Sequence, residues 1–505
     1  RDTDRSRGLG DVYKRQGLAF VVAVLLFSGC TIGYDENATW TSNVKNAQLE
    51  SPTEVIVANN NDGTATIKWN VVEGAGGYEV SFYNVDNPEE KVPVGEENEF
   101  VDGCSVTRDI GDDTKYLACV RALGNTQLNN TEAKTAAEKD FTTLIETTGT
   151  IPVGTDIAEY FKANPLPDSA TELAYDLVAG GTYTMNDVVD FGARAVTFRG
   201  DKVNHPKVTF GESARFVTCA GLKIKFIDFD CNAASSGSSS NSFILLSNDA
   251  SGAGLTASAP GQFVITDPIM IQSCEVRGIN RHLIYCNSTS YCVKQFTVND
   301  CILGFNQSNI IIHMNSSNAF IAHLAFQNST LYSTVASNQR FIHFSSRGPH
   351  WFINQLKSDV YGISTMYNGV SYRGGLIIQN CTFYNVANKG DMANWSGMLQ
   401  NTTFMNISNN IFVDSGNNQV IRRITNNNNN VIKSFSRNSY WYGENYSTDG
   451  SIATYESNPI ETDPKLTDPG NAVETAKDFT PRGDEQLSAR TGDPRWLCLL
   501  YTSPS

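Results

Sequence analysis

The sequence lacks the features that mark membrane-spanning and nucleic-acid-binding proteins. Its longest apolar run, within residues 17–30, holds about a dozen apolar residues, fewer than the roughly 20 that a helix needs to cross a bilayer. Basic residues number 38 against 53 acidic ones, which gives a formal net charge of −15. Such acidity argues against nucleic acid as the main partner, because a phosphate backbone attracts basic surfaces.

Acidic residues are scarce in the middle of the chain. Residues 271–440 contain five acidic and twelve basic side chains, a local charge of +7, whereas the remainder has 48 acids and 26 bases, or −22. A basic region on an acidic chain favours an anionic ligand, although twelve scattered bases are equally consistent with a solvated surface. The scarcity of acids argues against the carboxylate pair of a glycoside hydrolase.

The N-terminal apolar run is typical of a secretory signal. Residues 17–30 read GLAFVVAVLLFSGC, and the small residues Ser28 and Gly29 before Cys30 suit cleavage and diacylation of that cysteine. Residues 31–50 are polar and are interpreted as a tether. The segments 1–16 and 498–505 resemble translated sequencing-adapter sequence and are left out of the fold prediction. We therefore expect an exported protein that is anchored by lipid on Cys30.

Residues 51–145 alternate apolar and polar positions, as in TATIKWN and GYEVSFYNV. Turn residues separate these runs, so the pattern predicts an antiparallel β-sandwich. The segment resembles a fibronectin type III domain in the placement of Pro52, Trp69, Tyr78 and Tyr116. The sequence leaves open whether Cys104 and Cys119 form a disulfide, since that depends on geometry.

A short phrase recurs after residue 155: IQSC, VNDC and IQNC place a cysteine in the same position. Spacings of 27, 28, 29, 23 and 29 residues separate the successive members Cys274, Cys301, Ser329, Ser358, Cys381 and Asn410. This period, with short β-like runs and polar turns, indicates a solenoid with three strands per coil. We expect a buried column of free thiols that includes Cys231, with neither disulfides nor a zinc site. Residues 155–165 predict a helix that caps the first coil.

The opening coil resembles the right-handed parallel β-helix of the pectin-lyase-like superfamily. It reads YDLVAGGTYTMNDVVDFGARAVTFRG at residues 175–200, and the resemblance covers residues 150–497. The motifs NSYWYG and GDPRW resemble those of exported β-helix lipoproteins from polysaccharide-utilising Gram-negative bacteria. The predicted fold class is thus all-β, a fibronectin-like sandwich followed by a right-handed parallel β-helix. The resemblance implies an outer-membrane anchor at the cell surface and an acidic polysaccharide, such as pectin, as partner.

The same resemblance implies which catalytic groups a lyase or a hydrolase of this fold would need. Lyases of this fold use a base, often lysine or arginine, and Ca²⁺ or another cation that neutralises the uronate carboxylate. Hydrolases of this fold use clustered aspartates, and no such cluster lies within the predicted coils. Whether the protein is an enzyme stays open, with a lyase favoured over a hydrolase. Ca²⁺ is expected only in that case, and no other cofactor or metal is predicted.

A second column supplies the candidate site. Tyr285, His313 and His343 follow their column positions by 11, 12 and 14 residues, so we expect them to stack in consecutive coils. The predicted ligand-binding residues are Arg281, Tyr285, His313, Arg340, His343 and Arg347, and the catalytic candidates are His313, His343, Lys357 and Arg373. The histidines are expected to gain charge as the pH falls toward about 6.5.

Together these patterns predict a surface lipoprotein that recognises, and in one alternative cleaves, an acidic polysaccharide. Two alternatives stand beside simple recognition: a polysaccharide lyase acting by β-elimination and a non-catalytic, adhesin-like structural protein. An adhesin would show nearly identical repeats, and these coils diverge. The glycan, its linkage and the oligomeric state are not encoded in any of these patterns.

Replacing Cys30 with alanine tests the anchor. We expect the variant to leave the detergent phase when cells are partitioned with a cloud-point detergent, because the acyl chains are attached through the Cys30 thiol and amine. Replacing Ser28 with glycine, which keeps a small residue at that position, serves as the control and should leave partitioning unchanged. Unaltered membrane association of the alanine variant would contradict the assignment.

Overall fold

The computed structural model describes residues 44–250, 262–316, 319–335, 340–345, 362–443, 452–470 and 478–497. The chain divides into two compact units after Ile145. No helix in these ranges is long and apolar enough to cross a membrane. The expectations for residues 1–16, 17–30 and 498–505, for most of the tether, and for Arg347, Lys357 and Ser358 fall outside the described residues.

The first unit consists of two antiparallel sheets, as the alternating pattern predicts. Residues of Thr64–Trp69 that face inward, including Ile67 and Trp69, are buried in one core with Val80 and Phe82 of the opposite sheet. Cys119 is a free thiol, so no disulfide joins it to Cys104. One sheet contains Val55–Asn59, Thr64–Trp69 and Ser105–Asp109, and the other contains Tyr78–Asn84, Val92–Pro93, Glu99–Val101, Lys115–Ala122 and Ala137–Thr142.

The second unit is a parallel β-helix with three sheets. Sheet 1 contains Gly149–Ile151, Leu173–Leu177, Val196–Arg199, Leu222–Lys225, Gln262–Ile265, Ile269–Gln272, Ser290–Asn299, Phe320–Gln327, Gly374–Gln379, Thr403–Ser408 and Ile432–Ser436. Sheet 2 contains Thr182–Met185, Lys207–Phe210, Asp228–Asp230, Glu275–Ile279, Ile302–Phe305, Thr330–Ser333, Thr382–Tyr384, Ile411–Val413 and Ser439–Trp441. Sheet 3 contains Val188–Asp190, Arg215–Thr218, Ile244–Leu246, Ile284–Cys286, Ile312–Met314, Ile342–Phe344 and Ala393–Asn394. Each strand pairs in parallel with its counterpart in the next coil, which confirms the predicted solenoid.

Helices and a hairpin complete this unit. The predicted first helix spans Ile157–Ala163, and its cap residue Asp156 accepts a hydrogen bond from the Glu159 backbone N–H at 3.1 Å. Ile157 is fully buried in the core of the β-helix. The other elements are helices Val420–Thr425, Ile452–Tyr455 and Asp484–Ala489, the 3₁₀ turns Ser396–Met398, Gly416–Asn418 and Pro494–Trp496, and an antiparallel hairpin of Thr365–Tyr367 with Val370–Tyr372.

The recurring phrase forms the corner between sheet 1 and sheet 2. A residue with left-handed backbone conformation turns the chain there, and asparagine or aspartate tolerates that conformation better than most residues. These corner residues are Ser273, Asp300, Asn328, Asn380 and Asn409, with φ between 48° and 60°. Their side chains also link coils: the Asn380 amide donates to Asn328 Oδ1 at 3.0 Å, and that of Asn409 donates to Asn380 at 3.2 Å.

The column position directly follows each corner residue and points into the core. Cys274, Cys301 and Cys381 are free thiols with at most 2 % of their surface exposed, so the predicted column of unpaired thiols is confirmed. Burial raises the pKa of the Cys301 thiol to about 12, and such thiols are poor nucleophiles.

One predicted member of the column was wrong. Asp228 pairs with Glu275, so Ile227 precedes Cys274 in the column and Cys231 lies beyond the end of its strand. A long insertion separates these two coils, and the cysteine that stands nearest to it in the sequence is not the column residue. Further along, Thr330 pairs directly with Thr382, so Cys381 follows Ser329 in the column.

The column becomes polar at its C-terminal end. Asn410 Nδ2 donates to Asn438 Oδ1 at 2.8 Å, and Asn438 Nδ2 donates to Glu456 Oε2 at 2.9 Å. Tyr440 donates to the same Glu456 oxygen at 2.8 Å. Asn410 and Asn438 are fully buried, and Glu456 is 2 % exposed, so these partners replace the water that the polar groups lose on folding.

We predict that Asn438→Leu destabilises the β-helix. The substitution leaves the Asn410 amide and the Glu456 carboxylate without a shared partner, and unsatisfied buried groups cost about 1–3 kcal/mol each. Urea unfolding should show a lower midpoint for this variant than for the exposed control Asn430→Leu. Equal midpoints for the two variants would contradict the role of the polar column.

Candidate functional site

The outer face of sheet 3 brings the predicted histidine column together. The strands Ile312–Met314 and Ile342–Phe344 bury their first and third residues and leave the middle histidine half-buried. Tyr285, in the middle of Ile284–Cys286, is buried. Tyr285 pairs with His313, and His313 pairs with His343, in consecutive coils, as the sequence predicts. His343 in turn pairs with Asn394. The three-residue strands therefore produce a continuous row of four side chains along the face.

The rings of this row lie close enough to contact one another. Ring centroids are 5.3 Å apart between Tyr285 and His313 and again between His313 and His343. His282, from the loop before its strand, stacks on Tyr285 with a centroid distance of 4.8 Å, and its Nδ1–H donates a hydrogen bond to the Ile310 carbonyl. The result is a continuous row of ring contacts in which Tyr285 and His282 are buried and the two other histidines are half-buried.

Hydrogen bonds fix the tyrosine, whereas one ring nitrogen of each histidine lacks a hydrogen-bond partner among the described residues. The Tyr285 hydroxyl donates to Asn287 Oδ1 at 2.9 Å and accepts from Asn315 Nδ2 at 3.3 Å. The Nδ1 atoms of His313 and His343 are shielded from solvent and have no hydrogen-bond partner among the described residues. Because these two nitrogens are shielded, they favour the neutral, uncharged form of each ring rather than contact with a ligand.

These histidines are neutral at physiological pH. Burial, together with the positive charges of neighbouring histidines and arginines, lowers the pKa of His313 to about 3. Burial and Arg340 lower the pKa of His343 to about 4, against a small opposing effect of Asp391. The expectation that they gain charge near pH 6.5 was wrong, because sequence spacing does not reveal burial.

Three arginines border the row of rings. Arg281 Nη2 donates to Ser239 Oγ at 2.9 Å. Arg340 Nε and Arg423 Nε lie 3.8 and 3.1 Å from the two oxygens of Asp391, and all three side chains remain 30–39 % exposed. One carboxylate therefore faces two guanidinium groups, which leaves positive charge available at the surface.

A polar cavity of about 220 Å³ lies at the end of the row. Asn394, the fourth member of the row, forms part of its wall. Its lining residues are Asp391, Ala393, Asn394, Trp395, Ser396, Arg423 and Asn426. The cavity and the ring surface are therefore contiguous.

Some predicted site residues lie elsewhere. Arg373 precedes the sheet 1 strand Gly374–Gln379, where its backbone N–H donates to Thr402 O at 2.9 Å, and Arg347 and Lys357 fall outside the described residues. The prediction missed Asp391, Asn394 and Arg423. Asn394 occupies the same position as the histidines, but the differing loop lengths hide that correspondence in the sequence.

The face does not fit Ca²⁺, the ion that a lyase of this fold would use. Ca²⁺ takes six to eight oxygen ligands, largely carboxylates. Asp391 supplies a carboxylate here, and both of its oxygens already face arginines. Within the described ranges, no group of three or more His, Cys, Asp or Glu side chains is arranged to hold a metal ion.

Comparison with known proteins finds three matching families, and none of their descriptions gives an activity. Three family models, each described as a domain of unknown function, match residues 5–180 (DUF4992), 181–334 (DUF4957) and 376–496 (DUF5123). No curated protein is significantly similar to the chain in sequence.

Among solved structures, the chain is similar to pectate lyase PelI from Erwinia chrysanthemi, at 12 % identity over 58 % of this chain and 80 % of that one, with a TM-score of 0.14. The same lyase in complex with tetragalacturonic acid matches at 9 % identity over 58 % and 84 %, with a TM-score of 0.14. A myokine structure matches at 22 % identity over 19 % of this chain and 98 % of that one, with a TM-score of 0.16. TM-scores this low carry no argument, so the fold assignment rests on the strand pairing described above.

The lowered pKa values predict a specific titration. In NMR spectra, ring resonances of His313 and His343 should stay constant from pH 8 to pH 6, whereas in the urea-unfolded chain they should titrate near pH 6.5. Because the neutral form is favoured in the folded state, the free energy of unfolding should decline as the pH falls below about 6.5. Titration of either ring near pH 6.5 in the folded protein would show that it is not buried as described.

Proposed function

We propose that the protein is an exported, lipid-anchored surface protein whose β-helix binds an acidic polysaccharide along the outer face of sheet 3. The observation that supports this most is the row of neutral rings Tyr285, His313 and His343 bordered by Arg281, Arg340 and Arg423. The scarcity of acidic side chains in residues 271–440 agrees with an anionic ligand.

Each part of this face suits a feature of a uronate polymer. Guanidinium groups bind carboxylates with two parallel hydrogen bonds, which a neutral sugar does not offer. Neutral imidazoles donate and accept hydrogen bonds with sugar hydroxyls without competing for the carboxylates. Successive coils repeat at roughly 4.8 Å, so the row presents its groups at regular intervals to a polymer.

The geometry favours binding over cleavage. A base with a pKa far below the working pH removes protons inefficiently, and His313 and His343 have pKa values lowered to about 3 and about 4. A lyase mechanism would therefore need an arginine or lysine as its base. Arg373 precedes a sheet 1 strand rather than lying on this face, and of the arginines on the face, Arg340 and Arg423 are engaged with Asp391. We therefore propose that the protein binds the polysaccharide without cleaving it. Cleavage by β-elimination is the alternative, and the experiment below distinguishes the two.

Affinity electrophoresis tests the proposal. We expect polygalacturonate in the gel, but not a neutral glucan, to retard the wild-type protein at low salt. Arg281→Gln/Arg340→Gln should lose most of that retardation, and His313→Ala/His343→Ala should lose part of it. The control Lys134→Gln/Lys139→Gln removes two exposed charges from the first unit and should behave as wild type. Retardation should fall at high salt, since the Debye length shrinks from about 10 Å at 0.1 M to about 3 Å at 1 M.

Three outcomes are distinguishable. Equal mobility of all proteins in both gels rejects glycan binding. If the arginine variants are retarded as strongly as the wild type, the binding site does not lie on sheet 3. Ultraviolet absorbance from unsaturated products during incubation with polygalacturonate would show a lyase. Because both histidines stay neutral, retardation should not change between pH 8 and pH 6.

A further inference from the structure

Within the described residues, sheet 3 stops two coils before the other two sheets. Sheet 1 continues to Ile432–Ser436 and sheet 2 to Ser439–Trp441, whereas the last strand of sheet 3 is Ala393–Asn394. All residues between Val413 and Ile432 are described, and where the next strand of sheet 3 would lie they form the 3₁₀ turn Gly416–Asn418 and the helix Val420–Thr425. A surface that follows sheet 3 therefore ends at this helix.

Core packing holds the helix in that position. Ile421 and Ile424 are fully buried, and the Trp395 indole N–H donates to the Ile424 carbonyl at 3.0 Å. The Ser415 hydroxyl accepts from the Val386 backbone N–H at 3.2 Å and fixes the preceding turn. The helix is thus a permanent wall of the β-helix rather than a loosely attached segment.

The wall carries charge where it meets the row of rings. Arg423, on the outer side of the helix, faces Asp391 across 3.1 Å and lines the cavity of about 220 Å³ that adjoins Asn394. Clefts for drug-sized ligands measure roughly 300–1,000 Å³, so this cavity accommodates about one sugar unit. Amide and hydroxyl groups of Asn394, Ser396 and Asn426 complete its lining.

At the other end, sheet 3 continues as strands. The row continues past Tyr285 to Leu245 and Val217, which occupy the same position in the preceding coils of sheet 3. Among the described residues, a helix replaces a sheet 3 strand next to the row at the Asn394 end and not at this one.

We infer that the site recognises the end of an acidic polysaccharide chain, with the terminal uronate in the cavity and its carboxylate on Arg423. This inference rests on the proposed function, since it names the part of the glycan that the same face binds. Asp391 is a positioning residue, which holds Arg340 and Arg423 on either side of the cavity. An interior segment of a polymer cannot reach Arg423, because the helix blocks the continuing chain.

Stoichiometry distinguishes end binding from interior binding. Wild-type protein is titrated calorimetrically with oligogalacturonate fractions of increasing length, the longest spanning several times the sheet 3 face. We expect one protein per chain at every length. If interior segments bind, the number of proteins per chain rises with length, and that result overturns the inference while the proposed function stands. Absence of binding at every length overturns both.

A matched pair of variants tests the cavity. Arg423→Gln should weaken binding of a short oligogalacturonate about tenfold or more, since a hydrogen bond to a charged group contributes about 1.5–3 kcal/mol. Arg422→Gln makes the same charge change at an exposed position of the same helix and should stay within about twofold of wild type. Equal affinity of both variants would overturn the inference.

Chemical modification of one chain end at a time provides an independent readout. Reduction of the reducing-end sugar or enzymatic unsaturation of the opposite end should abolish most binding in one case and leave it unchanged in the other. The sensitive end is then the one that enters the cavity. Binding that tolerates both modifications would overturn the inference even if the stoichiometry were one.

Discussion

The two-residue corner between sheet 1 and sheet 2 is the constraint on which the β-helix depends. One residue adopts a left-handed conformation, and the next is buried in the column, as in Asn380 and Cys381. A side-chain period of two means that a shift of one residue would turn every core side chain outward. The corner prevents that shift in each coil. Outside the core, the side-chain hydrogen bonds from Asn409 to Asn380 and from Asn380 to Asn328 hold equivalent residues of successive coils in register.

The sequence predicts this architecture well where the corner is regular. Cys274, Cys301 and Cys381 were placed correctly because asparagine, aspartate or serine precedes each of them. It fails where that signal is missing: Ile227 occupies the column after Phe226, whose φ of 59° is unusual for an aromatic residue and leaves no polar signature. Cys231, four residues further on, then resembles the missing member more closely than Ile227 does.

The candidate site shows the same division between regular and irregular parts. Tyr285, His313 and His343 follow regular corners by similar distances, so their stacking was predictable. Asp391 and Arg423 meet only because sheet 3 stops and a six-residue helix takes the place of a strand. The repeat period in the sequence does not predict that replacement. The protonation state of the histidines could not be predicted from the sequence, because it depends on burial and on the neighbouring arginines.

The short corner also determines where this protein can vary in length. From the strand Leu222–Lys225 onward, two residues connect sheet 1 to sheet 2 in every coil. The other two corners vary in length: residues 231–243 and 306–311 connect sheet 2 to sheet 3, and residues 287–289 and 345–373 connect sheet 3 to sheet 1. Both of those corners border sheet 3. Insertions and deletions can therefore accumulate around a single face without disturbing the stacking of coils. A lineage that exchanged these loops would diversify its ligands on an unchanged scaffold, and a designer who grafts loops should choose the same two corners.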